Sequence, residues 1–204
     1  MDTYLTVHRI TFPVPEKENS KIKTMEFLSA CSDFLKLIDL LGKSFAPAIY
    51  DISGNIAKIT NVYQDDCDKY EYLEDMVLAE RVEGKQLATD ALMWLRRALN
   101  FLIAFFELLC TDESKQEDLG AFVREAYSNT LKMYHGWITK SLFNFLAGMT
   151  PKRTPLLESL ALHKSNCEEY VLSDIQRFIP NLKLCVQHLI TFYTENDLET
   201  NNKV

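Results

Sequence analysis

The sequence predicts an all-α fold. Apolar residues recur at three- and four-residue intervals along the chain, with almost none of the period-two alternation that a half-buried strand needs. Only six glycines and six prolines punctuate 204 residues, which leaves room for long uninterrupted helices. Two stretches, "LATDALMWLRRALNFLIAFFELLC" and "AYSNTLKMYHGWITKSLFNFLAGM", hold more apolar and aromatic side chains than one face of a surface helix accommodates.

The first 23 residues, with Pro13 and Pro15, read as an N-terminal arm laid over the body, and residues 24–204 as one domain. The helical period predicts helices over 24–41, 47–64, 66–80, 87–110, 117–147, 155–163 and 168–196. The 87–110 helix carries Leu92, Trp94, Leu95, Leu99, Phe101, Phe105 and Leu109 around most of its circumference, which makes it central. The 117–147 helix is similarly rich, with Tyr127, Tyr134, Trp137, Phe143 and Phe145. Together the two offer more apolar surface than one packed seam requires, as either an apolar cavity or a filled core would. The last helix is expected to bend or break near Pro180, because a mid-helix proline loses a hydrogen bond and crowds the preceding turn.

Charge and cysteine usage narrow the function classes. A net charge of -7 and a pI near 5.2 argue against a general nucleic-acid binder, which needs a basic surface to neutralise phosphate. Five cysteines, an odd number with no CxxC pair, predict a reduced cytosolic protein without structural zinc or other cofactor. The first twenty residues lack an apolar signal core, and the 87–110 stretch is interrupted by Asp90, Arg96, Arg97, Asn100 and Glu107. Neither a signal peptide nor a membrane span is expected.

The polar residues within the apolar helices are more informative. Asp51, Asn55 and Lys58 stand at i, i+4 and i+7 and share one narrow helical sector, either as a solvated face or as a set that one ligand touches. Asp90 and Trp94 are likewise i, i+4 neighbours, with Arg97 and Phe101 continuing the face. An indole plate beside a carboxylate suits a sugar, although a core tryptophan with an exposed acid has the same spacing. His135 and Trp137 would lie about 200° apart on one helix, so that an inward His135 leaves Trp137 outward. With Ile138 and Lys140 beside it, an outward Trp137 suits a membrane interface, and Lys152 with Arg153 would add attraction to anionic lipid.

Enzyme signatures are missing from the sequence. It has no GxSxG, no HExxH, no phosphate-cradling glycine loop and no dinucleotide fingerprint. His8, His135, His163 and His188 are scattered and form no evident triad or metal set, and the expectation is that the protein is not an enzyme.

The motifs "DISGNIAKI", "ALMWLRRALNFL" and "YHGWI" with a following phenylalanine, in this order and at these separations, resemble the glycolipid transfer protein family, as does the terminal "NKV". The resemblance runs from about Glu26 to Val204 and implies a two-layer helical sandwich of about eight helices enclosing a hydrophobic tunnel for one glycosphingolipid. By motif match, Asp51 and Asn55 would hold sugar hydroxyls, and Asp51 would also accept the ceramide amide N–H. Lys58 would donate to the sugar, Trp94 would stack beneath it, and His135 would donate to the ceramide carbonyl. Phe45, Phe101, Phe105, Leu131, Phe143 and Phe178 would line the tunnel.

Two departures bear on specificity. Asp90 stands one turn before the tryptophan where the family often has an apolar residue, and Asn202 replaces a tyrosine before the terminal Lys-Val. A carboxylate at Asp90 would favour hydroxyl donors and repel a phosphate, by on the order of 4 kcal/mol at 4 Å, unless Arg97 turns towards the site. The expectation is a monomeric cytosolic carrier of neutral glycosylceramides that touches membranes transiently through Trp137 and Lys140. A stationary glycosphingolipid sensor signalling through a partner is the alternative, and a glycolipid hydrolase a third reading.

Overall fold

The computed structural model describes residues 2–40, 42, 45–200 and 203. Among them the chain forms nine α-helices: α1 (Tyr4–Val7), α2 (Thr24–Asp39), α3 (Ala46–Asp65), α4 (Leu73–Glu83), α5 (Leu87–Thr111), α6 (Gly120–Asn129), α7 (Trp137–Ala147), α8 (Arg153–Leu160) and α9 (Glu168–Glu195). The one strand-like feature recorded is an isolated antiparallel bridge between Lys23 and Tyr72. No helix of the described residues is long and apolar enough to cross a membrane.

Helix α5 is the common wall, as its all-round apolar sequence predicts: α3, α4, α6 and α9 pack on it, and α2 packs on α3. Its start is fixed by a neighbour rather than by its own cap. The Glu80 carboxylate of α4, only 2% exposed, accepts the backbone N–H groups of Ala88 (2.9 Å) and Thr89 (2.8 Å) and the Thr89 hydroxyl (2.8 Å). Those amides are among the first four of a helix, which have no partner within it, and a carboxylate there also complements the helix dipole. The Tyr193 hydroxyl of α9 donates to the Thr89 carbonyl at 2.7 Å. Gly84, at φ +69°, makes the left-handed turn out of α4 that lets Glu80 reach back. These contacts hold the turn that carries Asp90 and Trp94.

The N-terminal segment is tied into the core. Phe12 is 2% exposed and meets Phe27, Phe34 and Phe178 edge-on at 5.8–6.1 Å. Burying one such ring contributes about 1.5–3 kcal/mol.

Three expectations about helices are corrected. The helix expected over 66–80 begins only at Leu73, because the Asp66 carboxylate captures the Lys69 amide (3.0 Å) and residues 70–73 bond instead to residues 22–24. Of the bend or break expected near Pro180, the break does not occur: α9 runs through it. Pro180 and Gln176 face solvent, where water can replace the amide that the Gln176 carbonyl lost.

The single helix expected over 117–147 is instead two, α6 and α7, joined by a 3-10 turn at Lys132–Tyr134. A continuous helix would hold residues 120 and 147 about 40 Å apart, yet the chain folds back so far that a Cβ on Gly120 would lie 2.7 Å from the Ala147 carbonyl oxygen. Thr130 turns its hydroxyl back to the Ala126 carbonyl and leaves helical geometry, and Gly136 is the extended N-cap of α7. The reversal stacks Phe143 on Tyr127 at 3.8 Å and sets it edge-on to Phe101 at 5.5 Å.

Candidate functional site

Asp51, Asn55 and Lys58 do share one face of α3. Asn55 is buried at 4%, while Asp51 and Lys58 reach solvent. The Asn55 amide donates to Asp51 Oδ2 and its oxygen accepts from Lys58 Nζ, both at a long 3.4 Å. A buried amide satisfied only by contacts this long keeps much of its hydrogen-bonding capacity for another partner. Desolvation raises the Asp51 pKa, and Lys58 pulls it down by a smaller amount.

Across from α3, α5 presents Asp90, a half-buried Trp94 and Arg97. The Asp90 pKa is raised by desolvation and by Glu80, and lowered by Lys58 and Arg97. Asp90 is therefore not the isolated carboxylate that its sequence position suggests, since cations of both α3 and α5 lie near it.

Arg97 is the cation from α5, and it does turn towards the site. Its side chain is 3% exposed, with the guanidinium carbon 4.9 Å from the Trp94 ring centre and 3.6 Å from that of Tyr134. It donates to Glu199 Oε2 at 3.0 Å and to the Thr200 carbonyl at 2.5 Å, while Arg96 donates to the other oxygen of Glu199. The result is a string of alternating charge: Asp51, Lys58, Asp90, Arg97, Glu199, Arg96. With Glu80, which also acts on Asp90, three cations stand among four anions. The expected role of Asn202 lies outside the described residues, but Glu199 and Thr200 bring the C-terminal segment onto α5.

His135 closes the site from the α6–α7 side. Its ring stacks towards Trp94, 6.1 Å between centres and 22° between planes. Nδ1 lies 3.1 Å from the buried Tyr127 hydroxyl, which sequence reasoning did not single out. Desolvation, with Lys140 adding to it, lowers the His135 pKa and keeps the ring neutral. His135 is half-buried and Trp137 is 77% exposed, as expected, but not by the helical rotation expected. His135 is extended (ψ 138°), and α7 starts only after it.

Beyond Trp137, α7 exposes Ile138 (65%), Leu142 (48%) and Phe145 (66%) along one stripe, while Phe143 turns inward. Of these, the sequence predicts an outward position only for Trp137 with Ile138 beside it. Lys140 is half-buried at the margin of the stripe and close enough to His135 to act on its charge. Arg153, expected to help attract lipid, is instead buried at 3%. It donates to Glu168 (3.0 Å) and Asp112 (3.2 Å), locking α8 to α9 and to the end of α5. Only Lys152 of that pair is exposed.

The residues expected to line a tunnel gather in the interior. Phe45, Phe101, Phe105, Leu131 and Phe178 are buried and Phe143 is partly so. They pack against other side chains, Phe178 on Phe34 at 5.3 Å for example. A cavity of about 390 Å³ lies by the N-terminal segment and a second of about 180 Å³ by α8; neither is lined by these residues.

Known proteins are similar to this chain in sequence and in fold. The glycolipid transfer protein of Danio rerio is 30% identical over 195 residues, 91% of this chain and 93% of that one. The structure of FAPP2, which selects simple glycosphingolipids using the GLTP-fold, superposes with a TM-score of 0.88 at 27% identity and full coverage of both chains. Mouse ceramide-1-phosphate transfer protein has the same fold, with a TM-score of 0.83, 18% identity, and 96% of this chain and 95% of that one covered. The two-layer helical sandwich expected from the sequence is therefore the observed fold. The glycolipid transfer protein family model matches residues 22–162, and the chain belongs to that family.

Proposed function

We propose that the protein binds one sphingolipid with an uncharged sugar headgroup and carries it between membranes. The observation that supports this most is the polar string of alternating charge, without an excess of cations, beside a half-buried indole, with the buried Asn55 amide only loosely satisfied. A sugar brings neutral hydroxyls that both donate and accept, and an aliphatic ring face that lies on Trp94. Asp51 accepts from the sugar and the ceramide amide, Asn55 and Lys58 bind hydroxyls, and Asp90 accepts one more. The proposed complex requires the tautomer in which Tyr127 donates its hydroxyl hydrogen to Nδ1 of His135, which puts the ring proton on Nε2 and offers it to the ceramide carbonyl.

The acyl chains set little selectivity, because bilayer and protein interior are both apolar and the burial terms largely cancel. They enter among the residues around Phe143, the most exposed of the six tunnel candidates. Polar pairing selects instead. A diacylglycerol-based lipid lacks the amide N–H and leaves Asp51 desolvated and unpaired, a cost of about 1–3 kcal/mol or more. The exposed apolar stripe of α7 docks on the membrane, as such stripes rimmed by polar residues do. No bond is made or broken in this cycle, and one protein molecule working in the cytosol suffices for it.

The test is vesicle-to-vesicle transfer of glucosylceramide, galactosylceramide and ceramide phosphate by catalytic amounts of purified protein, with and without Asp90→Leu. Transfer of the glycosylceramides well ahead of ceramide phosphate is expected. Equal rates would sink the headgroup assignment, and binding without turnover would point to a stationary sensor. A cleaved product would reveal a hydrolase. If Asp90→Leu leaves the preference between sugars unchanged, Asp90 takes no part in reading them.

A further inference from the structure

The two arginines of "LRRAL" pose a question that a neutral-sugar site leaves open. Arg96 and Arg97 are both about 95% buried in their side chains, and both lean on one carboxylate, Glu199. Three of their guanidinium nitrogens, Arg96 Nε and Arg97 Nε and Nη1, are buried without a hydrogen-bond partner among the described residues. Buried donors left this way are uncommon and costly. Arg97 also shares the Trp94 ring that we assign to the headgroup, and its guanidinium is planar and rigid, a shape that pairs with phosphate oxygens as readily as with a carboxylate.

We infer that Glu199 is a specificity-determining residue: its carboxylate occupies Arg96 and Arg97 in place of an anionic headgroup and so bars phosphate-bearing sphingolipids from the site. The inference rests on the sphingolipid reading above. Glu199 binds both guanidiniums from within the same chain, and an incoming phosphate must displace it and leave it unpaired. A phosphomonoester would also bring up to two negative charges into a string whose three cations are already matched by Asp51, Asp90 and Glu199, with Glu80 a further anion beside Asp90. Without the Glu199 charge the excess of anions beside Trp94 is removed, and two forked donor groups are freed for phosphate oxygens. A neutral sugar needs neither guanidinium, and its binding turns on α3 and Trp94.

The experiment compares transfer of ceramide phosphate and of glucosylceramide between vesicles by wild type and Glu199→Gln, and reads the ratio of the two rates. A rise in the ceramide phosphate to glucosylceramide ratio of about tenfold or more is expected, the scale of releasing one partner of a buried charge pair. An unchanged ratio in folded Glu199→Gln overturns the inference. Should that variant fail to fold for want of a counter-ion, Arg96→Met with Glu199→Gln removes one buried charge together with its partner and leaves Arg97 free; the same ratio is then read, with the same two outcomes. Failure of the underlying reading shows separately, as a wild-type protein that does not transfer glucosylceramide at all.

Discussion

The Tyr127 hydroxyl lies 3.1 Å from Nδ1 of His135, so a buried residue of α6 orients a ring that faces the site from the far side of the α6–α7 reversal. Tyr127 is itself held by its stack on Phe143 and is 3% exposed. Its hydroxyl touches no lipid in the proposed complex and acts through His135. Tyr127→Phe keeps the ring and removes the bond, at a cost of about 1 kcal/mol or roughly fivefold in glycosylceramide affinity. His135→Gln is expected to lose more, and adding Tyr127→Phe to it should cost little further. Titration of the double variant checks this; additive losses would separate the two residues.

Burial, and to a lesser degree Lys140, lowers the His135 pKa below its ordinary value near 6.5. The unfolded chain therefore takes up this proton at higher pH than the folded one. The stability contributed by a neutral His135 is fully present above about pH 6.5 and is lost as the pH falls from there through the folded pKa. Melting temperatures of wild type and His135→Gln between pH 8 and pH 5 read the effect. Their difference should hold steady at high pH and turn against wild type on acidification; a difference flat throughout would mean that His135 titrates as it does in water.

Asp51 carries the opposite sign. Its pKa is raised, chiefly by desolvation, so its charging disfavours the fold as the pH rises from about 3.9 through the folded pKa, and the penalty stands at neutral pH. Asp51→Val should then melt no lower than wild type at pH 7 and yet transfer no glycosylceramide. A variant that melts lower and still transfers would contradict both the electrostatics and the assigned role.

Much of this was legible in the sequence, because helical period and polar interruptions are local signals. The central α5 and the Asp51–Asn55–Lys58 face follow from the helical period, whereas the exposure of Trp137 rests on an extended His135 and not on the helical rotation expected. What escaped depends on chain reversals and distant partners. The reversal at residues 130–136 rests on the Thr130 side chain and the Gly136 cap, which a run of apolar periodicity masks, and it alone brings Tyr127 under His135. Arg153 looked like half of a surface pair since its acidic partners, Asp112 and Glu168, lie 41 and 15 residues away. Glu199 gave no signal at all, because its meaning comes from two arginines about a hundred residues earlier.

The exposed stripe of α7 separates membrane docking from lipid binding within a single helix. Trp137 and Phe145, 77% and 66% exposed, contribute little to the packed core, whereas Phe143 lies between Tyr127 and Phe101. Removing an exposed ring takes away surface that enters the bilayer interface, about 1.5–3 kcal/mol per large side chain at full burial and less at the headgroup level. Trp137→Ala and Phe145→Ala should each lower partitioning onto vesicles several-fold, slow transfer to match, and leave the affinity for detergent-dispersed glycolipid close to that of wild type. Phe143→Ala reverses the pattern: it opens space beside Tyr127 and Phe101, so binding in detergent suffers while partitioning does not. Measuring partitioning and detergent binding for all three variants decides the matter. Equal losses in both assays for Trp137→Ala would place that ring at the lipid, and vesicle partitioning unchanged by either outward substitution would move the docking surface off α7.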